Sequence, residues 1–325
     1  PARPAAPTYA LEENQAPAEQ RKAKPKRRLR GAPYESADVA DDFYADGKIA
    51  AETIARLEAA KGRPDTPFFI GAGFLRPHLP FVSPKKYWDL YDPAKLKPAS
   101  FRNAPEGSPD VAYRKNGELA SYKSDEDADK LSDEEQTKLL HGYYAAVSYT
   151  DAQIGKLLDA LDRLGLTENT IVVLWGDHGW HLGDHGLWAK MTNFEQATRI
   201  PFIISAPGVT KSGTRTKALV QSLDVYPTLL ELAAVPAPDS KPKLEGTSLV
   251  PVLKDPAATV HDHVLQVVPR QGALGRSVRT ATHRLVEWKK PGASADTAEY
   301  ELYDYSVDPE EKKNLLGEQP QTVTK

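Results

Sequence analysis

Thr170–Lys190 reads TIVVLWGDHGWHLGDHGLWAK, and its reading decides the fold. Ile171, Val172, Val173 and Leu174 form an apolar run that predicts a strand buried on both faces. The run stops at Gly176, and Asp177 and His178 are the first residues beyond it. In an open α/β sheet the crevice past the carboxyl ends of the strands is where ligands sit. A carboxylate and an imidazole delivered there side by side make half of a divalent-metal site. The tetrad Gly-Asp-His-Gly recurs at Gly183–Gly186, and Lys190 follows. Three histidines (His178, His181, His185), two aspartates and a lysine in one short span are hard to explain by packing alone.

Outward from this stretch the chain keeps an αβ rhythm. A helix is expected over Lys48–Ala60, with Asp46 as its cap. A second buried strand is expected over Pro67–Gly73, which places Arg76 and His78 at a strand exit. Residues 83–130 have no sustained periodicity and read as a long surface excursion. Ser132 and Glu135 spell a capping box. It opens a helix to about Leu164 whose apolar stripe is Leu140, Tyr143, Val147, Ile154, Leu158 and Leu161. Asp151 falls in that stripe and is expected to be buried and satisfied by backbone donors. Further strands are predicted at Ile200–Ser205 and Leu219–Leu223, and a helix at Tyr226–Ala234 capped by Asp224. One or two helical turns are expected at Leu249–Leu253. From His263 the pattern turns to short alternating strands: Val264–Val268, Arg276–Ala281, His283–Trp288 and Tyr300–Tyr303. These predict a small antiparallel sheet packed with a final helix.

The composition narrows the function classes. The 325 residues suffice for one large domain and a smaller one. A formal net charge of −3 gives no reason to expect nucleic acid, and no apolar stretch is long enough for a membrane span. The absence of cysteine rules out disulfides and thiolate metal sites. Pro, Ala and a basic run at Arg21–Arg30 mark residues 1–33 as a surface segment or linker.

Each motif has a plainer alternative. Asp177 could cap a turn and His178 could simply be exposed. As ligands, carboxylates suit a hard cation such as calcium and imidazole suits zinc, and one of each is too few for either. His78, between prolines in Arg-Pro-His-Leu-Pro, is held on a stiff loop suited to passing a proton to a leaving group, or it has no task. Lys190 could pin an anion as a point charge, or be a solvated surface lysine. Trp180 and Trp188 could wall a sugar or belong to the core. His181, His261, His263 and His283 read as structural or solvent-exposed.

The ordered series Gly71–Phe81 (GAGFLRPHLPF), Ser148–Asp151 (SYTD), Gly176–Lys190 (GDHGWHLGDHGLWAK) and Asp224–Leu230 (DVYPTLL) resembles the sulfatases, closest to the iduronate-2-sulfatase-like enzymes. Leu244–Val250, Gly275–Arg279 and Glu301–Asp304 also fit, so the likeness covers roughly residues 32 to 316. The resemblance implies an alkaline-phosphatase-like α/β fold, with a central mixed sheet flanked by helices and a small C-terminal antiparallel sheet subdomain. Residues 34–258 would then be a partial sulfatase α/β domain and residues 259–325 the small sheet. It further implies hydrolysis of sulfate esters on a sulfated carbohydrate with a calcium ion. Asp177 and His178 match metal-ligand positions, Lys190 the lysine that contacts sulfate, and His78 the histidine near the ester oxygen. Trp180 and His185 match substrate contacts. A periplasmic or extracellular setting follows from the family. The departure is the nucleophile. The family carries Cys-X-Pro-Ser-Arg, or a Ser version, as the source of formylglycine, and a pair of aspartates for the metal; this sequence has neither motif, and Asp41-Asp42 lies on the wrong side of the expected order. The expectation is therefore a fragment that lacks the N-terminal part of the fold and is inactive as it stands. A phosphodiesterase or phosphonate hydrolase of the same superfamily, and a non-catalytic binding module on this fold, are the competing readings.

Overall fold

The computed structural model describes residues 5–16, 30–113, 118–239 and 242–319. Its contacts fall into two units, Pro1–Ser100 with Lys115–Glu168, and Phe101–Arg114 with Asn169–Lys325. The boundary expected near residue 258 thus falls inside the second unit. Residues 21–29 of the basic run lie outside the described residues.

In the first unit, β1 (Tyr34–Ala37) pairs in parallel with β2 (Phe81–Pro84), Tyr34 opposite Phe81. Between them lies α1 (Ala45–Lys61), and the short α2 (Lys85–Trp88) follows. The long α3 (Asp133–Arg163) begins at Ser132, whose hydroxyl accepts from the Glu135 amide at 3.1 Å, as the capping box requires. The reciprocal half of the box is not made: the Glu135 carboxylate takes the Tyr34 hydroxyl instead. The face that α3 buries takes in only part of the expected stripe. Leu140 and Leu161 are buried, but Gly142, Ala145, Ala146 and Tyr149 are buried with them, whereas Val147, Leu158 and Asp151 are exposed. A Cβ on Gly142 would stand 3.0 Å from both the Phe81 side chain and the Trp88 ring, so close approach of the helix to β2 selects glycine there. Around it Tyr44, Val82, Tyr87, Trp88, Ala145 and Tyr149 form one apolar cluster. The described part of the N-terminal segment is fastened too: buried Glu35 accepts from the amides of Ala10 and Leu11 and from Asn14 Nδ2.

The strand expected over Pro67–Gly73 is not formed, and Phe69 is 87% exposed. An apolar run becomes a strand only when another strand takes its backbone donors and acceptors, and none of the described residues does so here.

In the second unit, β3 (Val172–Trp175) pairs antiparallel with β4 (Phe202–Ser205), Val172 opposite Ser205. β3 is half-exposed rather than buried on both faces: Trp175 is 46% exposed, and Ile203 on its partner β4 is 61% exposed. The strand expected at 219–223 is instead extended chain running into a short 3-10 turn over Ser222–Asp224. The second unit also holds the turn Glu195–Thr198 (α4), the helix Val225–Leu232 (α5) and the turn Val250–Lys254 (α6). Asp224 is buried and accepts from the amides of Gln221 and Thr247 and from His261 Nε2, which ties α5 to the loop before α6. The alternating C-terminal pattern gives the expected meander: β5 (His263–Arg270), β6 (Ala273–Thr280), β7 (His283–Lys289) and β8 (Glu299–Asp304), all antiparallel. No final helix forms among residues 305–319.

Candidate functional site

His78 belongs to the first unit, and its loop is fixed by a residue expected to do something else. Asp46 is not the helix cap. It lies buried in the first turn of α1 and its two oxygens accept from the amides of Leu75 and Arg76 at 2.9 and 2.8 Å. Hydrogen bonds to a carboxylate are stronger than neutral ones, each stabilising by about 1.5–3 kcal/mol. The Arg76 guanidinium donates to the His78 carbonyl at 2.6 Å, and the His78 amide donates to the Leu75 carbonyl. Burial pushes the Arg76 guanidinium down, while Asp46 opposes that shift. Both peptide bonds that precede the flanking prolines are cis. The imidazole itself is half-exposed. Its Nδ1 donates to the Leu79 carbonyl at 2.6 Å, and its Nε2 lies 3.2 Å from the Glu118 carboxylate.

Asp41, of the Asp41-Asp42 pair, is a counter-ion to lysines. Burial raises its carboxyl, but hydrogen bonds from Lys156, Lys86 and Tyr87 outweigh that and hold it at about 2.

In the second unit the first tetrad, Gly176–Gly179, leaves the end of β3. Its backbone is seated against α4: the Gly179 amide donates to the Ala197 carbonyl at 2.8 Å, and a Cβ on Gly179 would stand 2.0 Å from the Gln196 carbonyl oxygen. Only glycine fits. The Asp177 side chain is 88% exposed, with Oδ1 accepting from the His178 amide at 3.0 Å. His178 Nδ1 donates to the Gly179 carbonyl at 2.8 Å, which leaves Nε2 as the ring nitrogen available to a ligand. A carbonyl on the other ring nitrogen is how metal-binding imidazoles are oriented. Nε2 and Asp177 Oδ2 are 3.5 Å apart. Two ligands at right angles, each about 2.3–2.6 Å from a calcium ion, would be separated by roughly that distance. The pair therefore fits one edge of a coordination sphere. Among the described residues no group of three or more His, Asp or Glu comes together as a metal site.

The second tetrad has the same letters and a different fate. Residues 181–189 close on themselves through the His181 amide to the Ala189 carbonyl and the Gly183 amide to the Leu187 carbonyl. His185, expected to touch substrate, is fully buried, with φ 57°. Its ring stacks on Phe194 at 4.4 Å and 17°, and Nε2 donates to the carbonyls of Glu310 and Glu311. It contacts no solvent, so the expectation of a direct substrate contact is corrected: the ring is part of the core. His181 lies edge-on to it, buried, with Nε2 against the Thr192 hydroxyl. Burial, and then the neighbouring His185, hold the His181 imidazole down at about 3, so it stays neutral.

The rest of the motif rests on the C-terminal sheet. Arg284 on β7 donates to Glu195 at 2.6 Å and to Glu311 at 3.0 Å, and the Glu195 amide donates to Glu311 at 2.7 Å. Arg270 on β5 donates to the Met191 carbonyl. These bonds fix the segment just after Lys190. The Lys190 ammonium stands 5.0 Å from the centre of the Trp180 ring, within cation–π range. Trp180 is 8% exposed and Trp188 is core. A cavity of about 270 Å³ lies in the first unit against Leu119, Tyr122 and Leu139, and none of the sequence-predicted site residues lines it.

Comparison with known proteins adds the family. The sulfatase family model matches residues 9–235, and a model described as N-sulphoglucosamine sulphohydrolase, C-terminal, matches residues 183–325. The iduronate 2-sulfatase of Homo sapiens is 35% identical over 245 residues, covering 73% of this chain and 43% of the relative. The mouse protein is 33% identical over 65% of this chain and 43% of its own length. The chain thus spans less than half the length of these relatives. A solved structure in complex with its substrate D-glucosamine-2-N,6-O-disulfate superposes with a TM-score of 0.73 at 22% identity, covering 86% of this chain and 67% of that one. The phosphonate monoester hydrolase from Silicibacter pomeroyi superposes at 0.71 with 24% identity, over 88% of this chain and 58% of its own. These neighbours share the alkaline-phosphatase-like fold.

Proposed function

Since the chain belongs to the sulfatase family, we propose that it contributes to the hydrolysis of sulfate esters on sulfated sugars, in a periplasmic or extracellular setting. The observation that carries this reading is the exposed edge made by Asp177 Oδ2 and His178 Nε2, 3.5 Å apart with the imidazole oriented by the Gly179 carbonyl. It suits a divalent cation, calcium by family resemblance, to which these two residues supply part of the ligand set. When bound, such a cation and a formylglycine from outside this sequence would supply charge stabilisation and the attacking oxygen.

The chain's own residues have three tasks in this proposal. Asp177 and His178 hold the cation. Lys190, with its ammonium backed by the Trp180 ring, offers a point charge to sulfate oxygens. His78 gives its Nε2 proton to the bridging oxygen as the S–O bond breaks, so the electron pair of that bond leaves with a neutral alcohol. His78 then regains a proton from water. Trp180 bounds the sugar, whereas His185 supports the motif from the core.

The test is side-by-side turnover of an aryl sulfate and an aryl phosphonate monoester, with the formylglycine-bearing part supplied. The expected result is cation-dependent sulfate release that falls at least about a hundredfold in Lys190→Ala, the scale seen when a charge-stabilising donor is removed. A preference for the phosphonate would favour the hydrolase reading that the Silicibacter pomeroyi neighbour suggests. No turnover of either would favour a non-catalytic binding module.

A further inference from the structure

We propose that Glu118 is a positioning residue for His78: it keeps a proton on Nε2 and aims that proton outward until an ester oxygen takes the carboxylate's place. The inference rests on the reading of His78 as proton donor. The geometry begins with the other ring nitrogen. The Leu79 carbonyl can only accept, so Nδ1, at 2.6 Å from it, must carry a hydrogen. A neutral ring would then present a bare lone pair at Nε2, and that lone pair would face a carboxylate oxygen 3.2 Å away. Two acceptors at that distance repel, whereas Nε2–H between them attracts. The arrangement therefore favours the doubly protonated ring, the form that can give a proton to a leaving alcohol.

Among the described residues Arg30 Nη1 is a second cation near Glu118; it stands 4.0 Å from the same oxygen and donates its hydrogen bond to the Tyr122 hydroxyl at 2.9 Å. The Arg76 guanidinium faces the His78 carbonyl, and Asp46 is committed to the amides of Leu75 and Arg76. The imidazole and the carboxylate are 41% and 25% exposed, so the contact can open without dismantling the core. At 3.2 Å it is also longer than a typical charge-assisted bond of about 2.7–2.9 Å, which suits a partner that gives way.

Ring ¹⁵N NMR of the 325-residue chain at neutral pH tests this without any turnover, with His78→Ala identifying the resonance. In the wild type both His78 nitrogens should carry hydrogen, Glu118→Gln should lose it from Nε2, and Glu118→Asp should keep it. A ring that looks the same in wild type and Glu118→Gln overturns the proposal. Turnover, with the formylglycine-bearing part supplied, separates this from the underlying reading. If His78 is the proton donor, His78→Ala should slow an alkyl sulfate far more than 4-nitrophenyl sulfate, whose leaving group needs no proton. Glu118→Gln should reproduce that selectivity in kcat, on the order of tenfold, with KM little changed and Glu118→Asp restoring it. Selectivity in His78→Ala but not in Glu118→Gln rejects the role of Glu118 alone. No selectivity in His78→Ala rejects the proton-donor reading itself.

Discussion

Gly176–Gly179 and Gly183–Gly186 are the same four letters seven residues apart, and the second unit uses them in opposite ways. In the first, the glycine frame is buried against α4 and the acid and imidazole face solvent. In the second, the imidazole is inside, stacked on Phe194 and bonded to two carbonyls. The difference is not in the tetrads but in what meets them. The first leaves the end of a strand with its acid and imidazole side chains 88% and 34% exposed among the described residues, and the second is gripped from the other side by residues 310 and 311, which the C-terminal sheet holds through Arg284. A motif becomes a chemical site where the fold stops short of covering it.

The sharpest way to break this comparison is His185→Ala. Removal of a buried aromatic-sized ring leaves a cavity and two unbonded carbonyls, so denaturant unfolding should show a loss of about 3–5 kcal/mol. Next in size is Gly179→Ala, whose Cβ collides with the Gln196 backbone and should cost about 1–3 kcal/mol. Gly176→Ala, whose nearest contacts are ordinary at 3.4 Å, should unfold close to wild type in the same titration. The third effect is on pH. His181 is held down at about 3 in the folded chain and titrates near 6.5 when unfolded. Its neutral form therefore contributes stability that is complete above about pH 6.5 and is lost as pH falls towards 3. The slope is up to about 1.4 kcal/mol per pH unit, and melting against pH should flatten in His181→Gln. The smallest effect is expected for Asp177→Asn: within about 0.5 kcal/mol of wild type, with loss of any divalent-cation stabilisation seen by the same melting assay.

These contrasts also show how far the sequence could be read. The C-terminal meander was legible because alternation is a local signal and each strand finds its neighbour next in the chain. The apolar runs at 67–73 and 219–223 carry the same local signal, but a strand is defined by a partner, and the pattern cannot say whether one is present. The α3 stripe was only partly legible for a related reason: Leu140 and Leu161 are buried as expected, but Gly142, Ala145 and Ala146 carry little hydrophobic weight and are buried too, with Gly142 close against Phe81 of β2. At the site, Asp177 and His178 stood out by position at a strand end, whereas the second tetrad gave no sign that its histidine would be buried. Asp46 was visible only as a helix-cap residue. Glu118 gave no signal at all, since it lies in an aperiodic stretch far along the chain from His78, and only the folded loop brings the two together.

One paired measurement tests the central claim most directly: denaturant unfolding of Asp177→Ala/His178→Ala beside Asp184→Ala/His185→Ala. If the first tetrad is left open for chemistry and the second is part of the core, the first pair should unfold within about 1 kcal/mol of wild type and the second should lose at least about 3 kcal/mol. Equal losses from the two pairs would contradict the account.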